Sequence, residues 1–298
     1  EHPNIQVATV NVLGSWDIFG AIRIQSAIKK FSPDIIHTHL ALGAYLGGRA
    51  AKNLNIPCVV NLHNYVKLKY YRNVNAFIPA TQDQKKHLET HGISANKITV
   101  MPHFSLLPSI PAQTLPENKA IKFVSLGRMV HKKGFDVLIQ AFKAYLDAGF
   151  TGELVIGGSG VEKDTLNQLV TNLKIENQVK FSGWIEDVAA FLELGDVFVL
   201  PSRDEPFGIV VLEAMASGRP IITTKTQGPI TILSEDNAYF TEIGNVASLT
   251  QAMIKLSQNK TLATQKAQLA SNLYQSTYSA NAVVPQVEAI YRQLVKSY

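Results

Sequence analysis

Two glutamates eight residues apart carry the strongest chemical signal in the sequence, Glu205-Pro-Phe-Gly-Ile-Val-Val-Leu-Glu213, and the run continues Ala-Met-Ala-Ser-Gly218-Arg-Pro220. An apolar run at 197–200 feeds a proline-containing loop, and Gly208 opens a helical pattern over 208–217. Glu205 stands just before that helix and Glu213 inside it. At a rise of ~1.5 Å per residue the two carboxylates lie on the order of 8–10 Å apart along the axis. A sugar and a ribose joined by a diphosphate span a similar distance. Between the carboxylates, the helix N-terminus offers unpaired amides and the positive end of its dipole to phosphates. The pattern therefore suits a nucleoside diphosphate sugar; on spacing alone, a helix-capping Glu plus a surface Glu fits equally.

A second constellation is Gly127-Arg128-Met-Val-His-Lys132-Lys133-Gly134-Phe135. Arg128 as a fork and Lys133 as a point charge could converge on a diphosphate and stabilise it as a leaving group. Two solvated cations in a glycine-flanked loop are the competing reading. Gly157-Gly158-Ser159-Gly160 joins a strand to a helix, either as an anion-binding nest or as a tight turn that needs positive φ. His37 and His39 fall on one face of a strand. That spacing can supply two metal ligands, but no third ligand cluster accompanies them. The pair therefore reads as one histidine facing a cleft and one satisfied by hydrogen bonds.

These residues need a frame of strands ending in loops. Strand patterns fall at 5–12, 34–39, 58–62, 76–80 and 97–101, with an amphipathic helix over 17–30 that presents Ile18, Ile22, Ala27 and Ile28 on one face. From 104 to 118 neither period holds, and Pro108, Pro111 and Pro116 punctuate the stretch, as in a linker. Strand patterns resume at 121–126, 153–156, 179–181, 197–200 and 221–224. Helical patterns lie at 135–148, 162–173, 188–194 and 208–217, with three more around 246–257, 262–275 and 282–296. Strands alternating with helices predict an α/β chain with two doubly wound parallel sheets, whose ligands bind at the carboxyl ends of the strands.

Composition is compatible with that plan. With 298 residues, two domains are expected. Apolar residues at 46% and charged ones at 17% exclude a disordered chain. Cys58 is the only cysteine, so no intramolecular disulfide can form; it reads as a buried strand residue and fits a reducing compartment. No apolar run approaches the ~20 residues of a spanning helix. The sequence starts at Glu1 rather than Met, which leaves an upstream segment open. Net charge is +5, and up to residue 105 there are eleven Lys and Arg against five Asp and Glu, whereas the remainder has 17 against 18. A basic first third fits an anionic partner, and Tyr65-Val-Lys67-Leu-Lys69-Tyr70-Tyr71-Arg72 interleaves cations with aromatics as a lipid interface does; solvated surface lysines fit as well. No nucleic-acid module is recognisable.

In the order Gly127-Arg128-x(4)-Lys133-Gly-Phe-Asp136, Gly157-Gly158-Ser-Gly160 and Pro201-Ser-Arg-Asp-Glu205-Pro-Phe-Gly through Pro220, the chain resembles the retaining GT-B glycosyltransferases of the glycogen-synthase-like and phosphatidylinositol-mannosyltransferase-like group, of the glycosyltransferase family 4 type. Pro33-Asp34-Ile-Ile-His37-Thr-His39 and Val59-Val-Asn-Leu-His63-Asn64 extend the resemblance through the first half. It implies two Rossmann-like domains facing a cleft: an acceptor-side domain at 1–105, a linker at 106–118, a nucleotide-sugar domain at 119–280, and a C-terminal helix at 281–298 returning to the first domain. The family's first strand, glycine-rich loop and helix are missing from this sequence, so the first domain is expected to be N-terminally truncated.

The resemblance further implies transfer of a hexosyl unit from a nucleoside diphosphate sugar to a glycan or lipid-linked acceptor with retention, in cell-envelope polysaccharide or glycolipid synthesis. Arg128 and Lys133 would hold the donor diphosphate, Glu205 the hydroxyls of the transferred sugar, and Glu213 the ribose. Phe207, Gly208 and Ile209 would present backbone amides, with Gly158 beside the donor and Trp184 where the nucleobase sits. His63 matches a histidine that reaches the transferred sugar. The catalytic set is thus Glu205, His63, Lys133 and Arg128. No metal and no cofactor beyond the donor is expected, nor a nucleic-acid partner, and the location expected is cytoplasmic with peripheral contact to anionic membrane. His103 stands where relatives carry Asn, and Gly228-Pro229-Ile230-Thr231 lacks a Glu that often follows those glycines. A nucleotide-sugar epimerase, a glycan phosphorylase and a non-catalytic nucleotide-sugar binding protein are the alternatives; the phosphorylase would need a pyridoxal-phosphate lysine site, of which there is no sign.

Overall fold

The computed structural model describes residues 4–63, 65, 67–115 and 120–298. The chain divides into two compact units, one running to His103 and taking back Val283–Tyr298, the other Phe104–Ala282.

In the first unit, helix α1 (Ile18–Phe31) precedes strand β1 (Ile36–His39), α2 (Leu40–Leu54), β2 (Cys58–Leu62), β3 (Ala76–Pro79) and α3 (Gln82–Thr90). Asp17 starts α1 by accepting a hydrogen bond from Gly20 N, and Thr81 caps α3 through Gln84 N. The strands pair in parallel in the order β1-β2-β3, with His37 opposite Val59 and His39 opposite Asn61. Their core is Ala44, Ala51, Cys58, Val60, Leu62, Tyr71, Phe77 and Leu88. Burial pushes the Cys58 thiol up to about 11, so it is an inert core residue.

Two expected strands of this unit are corrected. Residues 5–12 form no strand although their sequence alternates: Ile5 and Val7 are 65% and 82% exposed, and no neighbouring strand supplies ladder hydrogen bonds. Residues 97–101 make a single bridge, Ile98 to Phe77, and Met101 N donates to Pro79 O, which carries an extended chain along β3 without a full ladder.

The second unit contains β4 (Ile121–Leu126), α4 (Phe135–Asp147), β5 (Gly152–Gly157), α5 (Lys163–Asn172), β6 (Val179–Gly183), α6 (Val188–Glu193), β7 (Val197–Leu200), α7 (Ile209–Ala216), β8 (Ile221–Thr224), α8 (Gln227–Ile232) and β9 (Tyr239–Thr241), then α9 (Val246–Gln258) and α10 (Lys260–Leu273). Its six parallel strands run β6-β5-β4-β7-β8-β9. Strand order therefore reverses between β4 and β7, the crevice where ligands of such sheets sit. The central strands are buried on both faces, which is why they read as unbroken apolar runs. Helix α11 (Ala280–Ser297) leaves this unit and packs in the first from Val283 onward. The stretch 104–113 is no loose tether: Ile110 N donates to Ala216 O, Gln113 N to Gly218 O, and Tyr274 Oη to Leu107 O. The rest of the expected linker, 116–118, lies outside the described residues.

The loops after β4 and β7 approach each other closely, and one glycine permits it. Gly134 has φ +69°, and a Cβ there would stand 2.1 Å from Pro201 O. Gly149, at the other end of α4, has φ +88° and nothing within 4 Å of such a Cβ. Gly149→Ala should therefore lose only the left-handed backbone preference, about 1–2 kcal/mol. Gly134→Ala should lose that and displace the β7 loop. Denaturant unfolding is expected to show the larger loss for Gly134→Ala, and equal losses would contradict the close approach.

Candidate active site

In the second unit, Gly134 and Gly208, both left-handed, open helices α4 and α7, and neither helix has a side-chain cap. Among the described residues no side chain caps the leading amides of α7, and uncapped helix amides are able to meet an external anion. Lys133, immediately before Gly134, donates to Glu205 Oε2 at 2.5 Å. Glu205 is 9% exposed, and Ser202 Oγ stands 3.4 Å from the same oxygen. Gly228 N donates to Glu205 O at 2.8 Å, and a Cβ on Gly228 would meet Phe207 O at 2.1 Å. The β8–α8 turn thereby clamps the backbone of Glu205–Phe207. Arg128 is exposed on the β4 loop and, among the described residues, has no carboxylate partner. The loop leaves Phe207 buried and Ile209 exposed.

Glu213 lies inside α7, and burial raises its carboxyl above the ordinary carboxylate range. It lines a pocket of about 600 Å³ with Ile209, Leu106, Leu107, Glu186 and Asp187. That is room for a nucleoside. Trp184, in the loop after β6, is 74% exposed, so the core alternative for it is excluded. Asp187 caps α6 through Ala190 N, which fixes this rim.

Gly158 takes a different role from the expected one. Its amide donates to Gly183 O at 2.6 Å, and a Cβ would meet Gly127 O at 1.9 Å. The amide is consumed by the protein and cannot serve a phosphate. Glycine here lets the β5 loop pack on the β4 loop, where Met129 N donates to Ser159 O. Sequence reasoning also missed Arg203 and Asp136, although both stand in the quoted motifs. Arg203 makes two bonds of 2.7 Å to Asp136 and a third to His131 O, and its own amide donates to Lys132 O. This fork ties the loop of Glu205 to the loop of Lys133.

In the first unit His37, His39, His63 and His103 gather toward the carboxyl ends of the strands. His37 and His39 stack with centroids 4.6 Å apart, His39 Nδ1 lies 2.9 Å from His63 Nε2, and His63 stacks on His103 at 5.0 Å. His37 is satisfied by Asn61 and by Tyr291 of α11, while His39 is exposed. Neither Tyr291 nor the clustering of His103 was legible in the sequence, because the contacts join segments up to 254 residues apart. Asn64, which closes the motif around His63, and Val66 of the basic and aromatic segment lie outside the described residues.

The comparisons with known proteins settle the family. Residues 108–275 match the model of Glycosyl transferases group 1, and residues 4–104 that of Glycosyltransferase Family 4. The chain belongs to the group 1 glycosyltransferases. Among curated proteins it is similar to the lipopolysaccharide core biosynthesis glycosyltransferase LpsE of Rhizobium meliloti (strain 1021), 29% identical over 223 residues, which cover 73% of this chain and 64% of that protein. Among solved structures it superposes on a glycosyltransferase from Rickettsia africae ESF-5 with TM-score 0.82, at 21% identity, over 99% of this chain and 85% of that one. Anabaena HepE in complex with UDP gives TM-score 0.79 at 20% identity, over 92% and 82%. The fold of this group 1 glycosyltransferase is GT-B, with two parallel-sheet α/β domains.

The buried histidines make this glycosyltransferase sensitive to acid. Burial, and then the neighbouring imidazoles, lower His37 and His103 from the ordinary 6.5 to about 4. The unfolded chain accepts protons at these sites below about pH 6.5, whereas the folded chain resists them until about pH 4. Stability from these two groups is therefore full above pH 6.5 and lost as pH falls toward 4. Melting temperature should drop between pH 7 and 5, and the double variant His37→Asn, His103→Asn should show a shallower drop. An unchanged slope would remove the assignment.

Proposed function

We propose that this protein transfers a hexosyl unit from a nucleoside diphosphate sugar to a glycan or lipid-linked acceptor, with retention at the anomeric carbon, in the synthesis of a cell-envelope polysaccharide or glycolipid. One observation carries the reading: a buried carboxylate bonded to a lysine, Glu205 to Lys133, stands at the uncapped N-terminus of α7, and a half-buried second carboxylate, Glu213, lines a nucleoside-sized pocket on the same helix. Support for the substrate class comes from HepE, solved with UDP, and for the setting from LpsE, a lipopolysaccharide core enzyme. The match to this chain spans 64% of the length of LpsE.

Each group then has a task. The α7 amides at Gly208 and Ile209 meet the diphosphate, and Arg128 and Lys133 neutralise it as the glycosidic bond breaks. Glu205 accepts hydrogen bonds from hydroxyls of the sugar on which positive charge develops, Glu213 accepts from the ribose, and Trp184 offers its exposed ring to the base. His63 meets the transferred sugar. The acceptor hydroxyl attacks from the leaving-group face and its proton passes to the diphosphate. The excess of cations in the first third would hold the protein against an anionic membrane surface at the cytoplasmic face.

The two carboxylates separate in kinetics. Contacts that strengthen in the transition state raise turnover, and uniform contacts change mainly affinity. Glu205→Gln is expected to cut turnover at saturating donor roughly ten- to a hundredfold with a smaller change in donor affinity. Glu213→Gln should weaken donor binding by about 1–3 kcal/mol, read by calorimetry, with turnover largely kept. The reverse pattern would swap the two roles, and no effect from either would defeat the reading. Membrane contact is tested separately by co-sedimentation: binding to anionic vesicles that weakens with salt supports it, whereas equal binding to neutral vesicles, or none to either, removes it.

A further inference from the structure

Four histidines of the first unit, His37, His39, His63 and His103, form one connected array, and its far end is a tyrosine on the C-terminal helix. His37 is held at both ring nitrogens, Nε2 by Asn61 Oδ1 at 3.2 Å and Nδ1 by Tyr291 Oη. An amide oxygen can only accept, so His37 Nε2 carries the proton. The imidazole is neutral near pH 7, its Nδ1 is then a lone pair, and the phenol must be the donor. A ring gripped at both nitrogens cannot rotate. His39 lies flat on it, tilted by 21°, and reaches His63 Nε2 from its own Nδ1. His103 covers His63 at an interplanar angle of 9°. Among the described residues no hydrogen bond engages His63 Nδ1, so that nitrogen is the array's open end.

We propose that Tyr291 is a positioning residue for His63: its hydroxyl fixes the orientation and tautomer of His37, His37 seats His39 by stacking, and His39 holds the His63 ring so that its open nitrogen is presented to substrate in one orientation. This rests on the place given to His63 in the proposed reaction. An imidazole that can flip presents a defined donor or acceptor only part of the time, and a held one presents it always. The C-terminal helix thereby acts on the reaction without touching substrate. Among the described residues, the charges that act on these rings include the other imidazoles: His39 and His63 on His37, His39 on His63, and His63 and His39 on His103.

Tyr291→Phe keeps the ring and deletes the hydroxyl. In the full chain, long-range 15N–1H spectra should show His37 wholly as the Nε2–H tautomer in the wild type. In Tyr291→Phe the spectra should show mixed tautomers at His37 and displaced signals for His39 and His63. Turnover should fall roughly three- to tenfold at unchanged donor KM, as loss of one positioning hydrogen bond implies. His39→Phe, which can still stack on His37 but cannot hold His63, should reproduce the kinetic effect and carries the test should Tyr291→Phe fail to fold. Unmoved His39 and His63 signals, or full turnover in Tyr291→Phe, would overturn the proposal. His63→Ala distinguishes the levels: if it keeps full turnover, the role of His63 itself is wrong and the proposal falls with it. If His63→Ala is slow while Tyr291→Phe is fully active, only the relay fails.

Discussion

Lys133 and Glu205 meet because two loops at the reversal of strand order are pressed together more tightly than any side chain would allow. Gly134 faces the Pro201 carbonyl, Gly228 faces Phe207, and Arg203 spans the gap to Asp136. Each contact uses backbone or a charged fork, so the loops are fixed on both sides of the crevice before any ligand arrives. The consequence of this constraint is electrostatic: a carboxylate is held beside a cation at the positive end of α7, both largely shielded from solvent. An exposed ion pair in this position would add almost nothing, and a partly buried one shapes the field of the site.

The two units carry unlike chemistry. The second unit offers cations, amides and carboxylates on loops set by glycines that bring backbone close to backbone. The first unit offers imidazoles, stacked and mutually bonded, whose burial keeps at least two of them uncharged at neutral pH. A neutral imidazole can donate with one nitrogen and accept with the other, whereas an imidazolium only donates. Exposed apolar side chains around α1, Trp16, Ile18, Phe19 and Ile22 among them, mark the part of this unit least covered by its own chain.

Much of the second unit was legible because its strands are buried on both faces and its helices carry a clear period. The spacing from Glu205 to Glu213 needed only α7 to set one carboxylate before its N-terminus and the other inside it. Residues 5–12 misled because alternation specifies a pleated surface only when a partner strand is present, and a single sequence does not say whether one is. Gly158 misled differently: a glycine turn looks the same whether its amide waits for a phosphate or already belongs to Gly183. Tyr291 was invisible for a third reason, since nothing local distinguishes a helical tyrosine that reaches a histidine 254 positions away from one that faces water.

The diphosphate of a nucleotide is expected to dock at the N-terminus of α7, beside Arg128 and Lys133. Amide spectra of the labelled chain titrated with UDP, GDP and ADP in turn test it most directly. At least one of them should shift Gly208, Ile209 and Val210 most, together with Arg128 and Lys133, and leave Gly158 less affected. Saturable shifts confined to other residues, or no shift with any of the three, would contradict it.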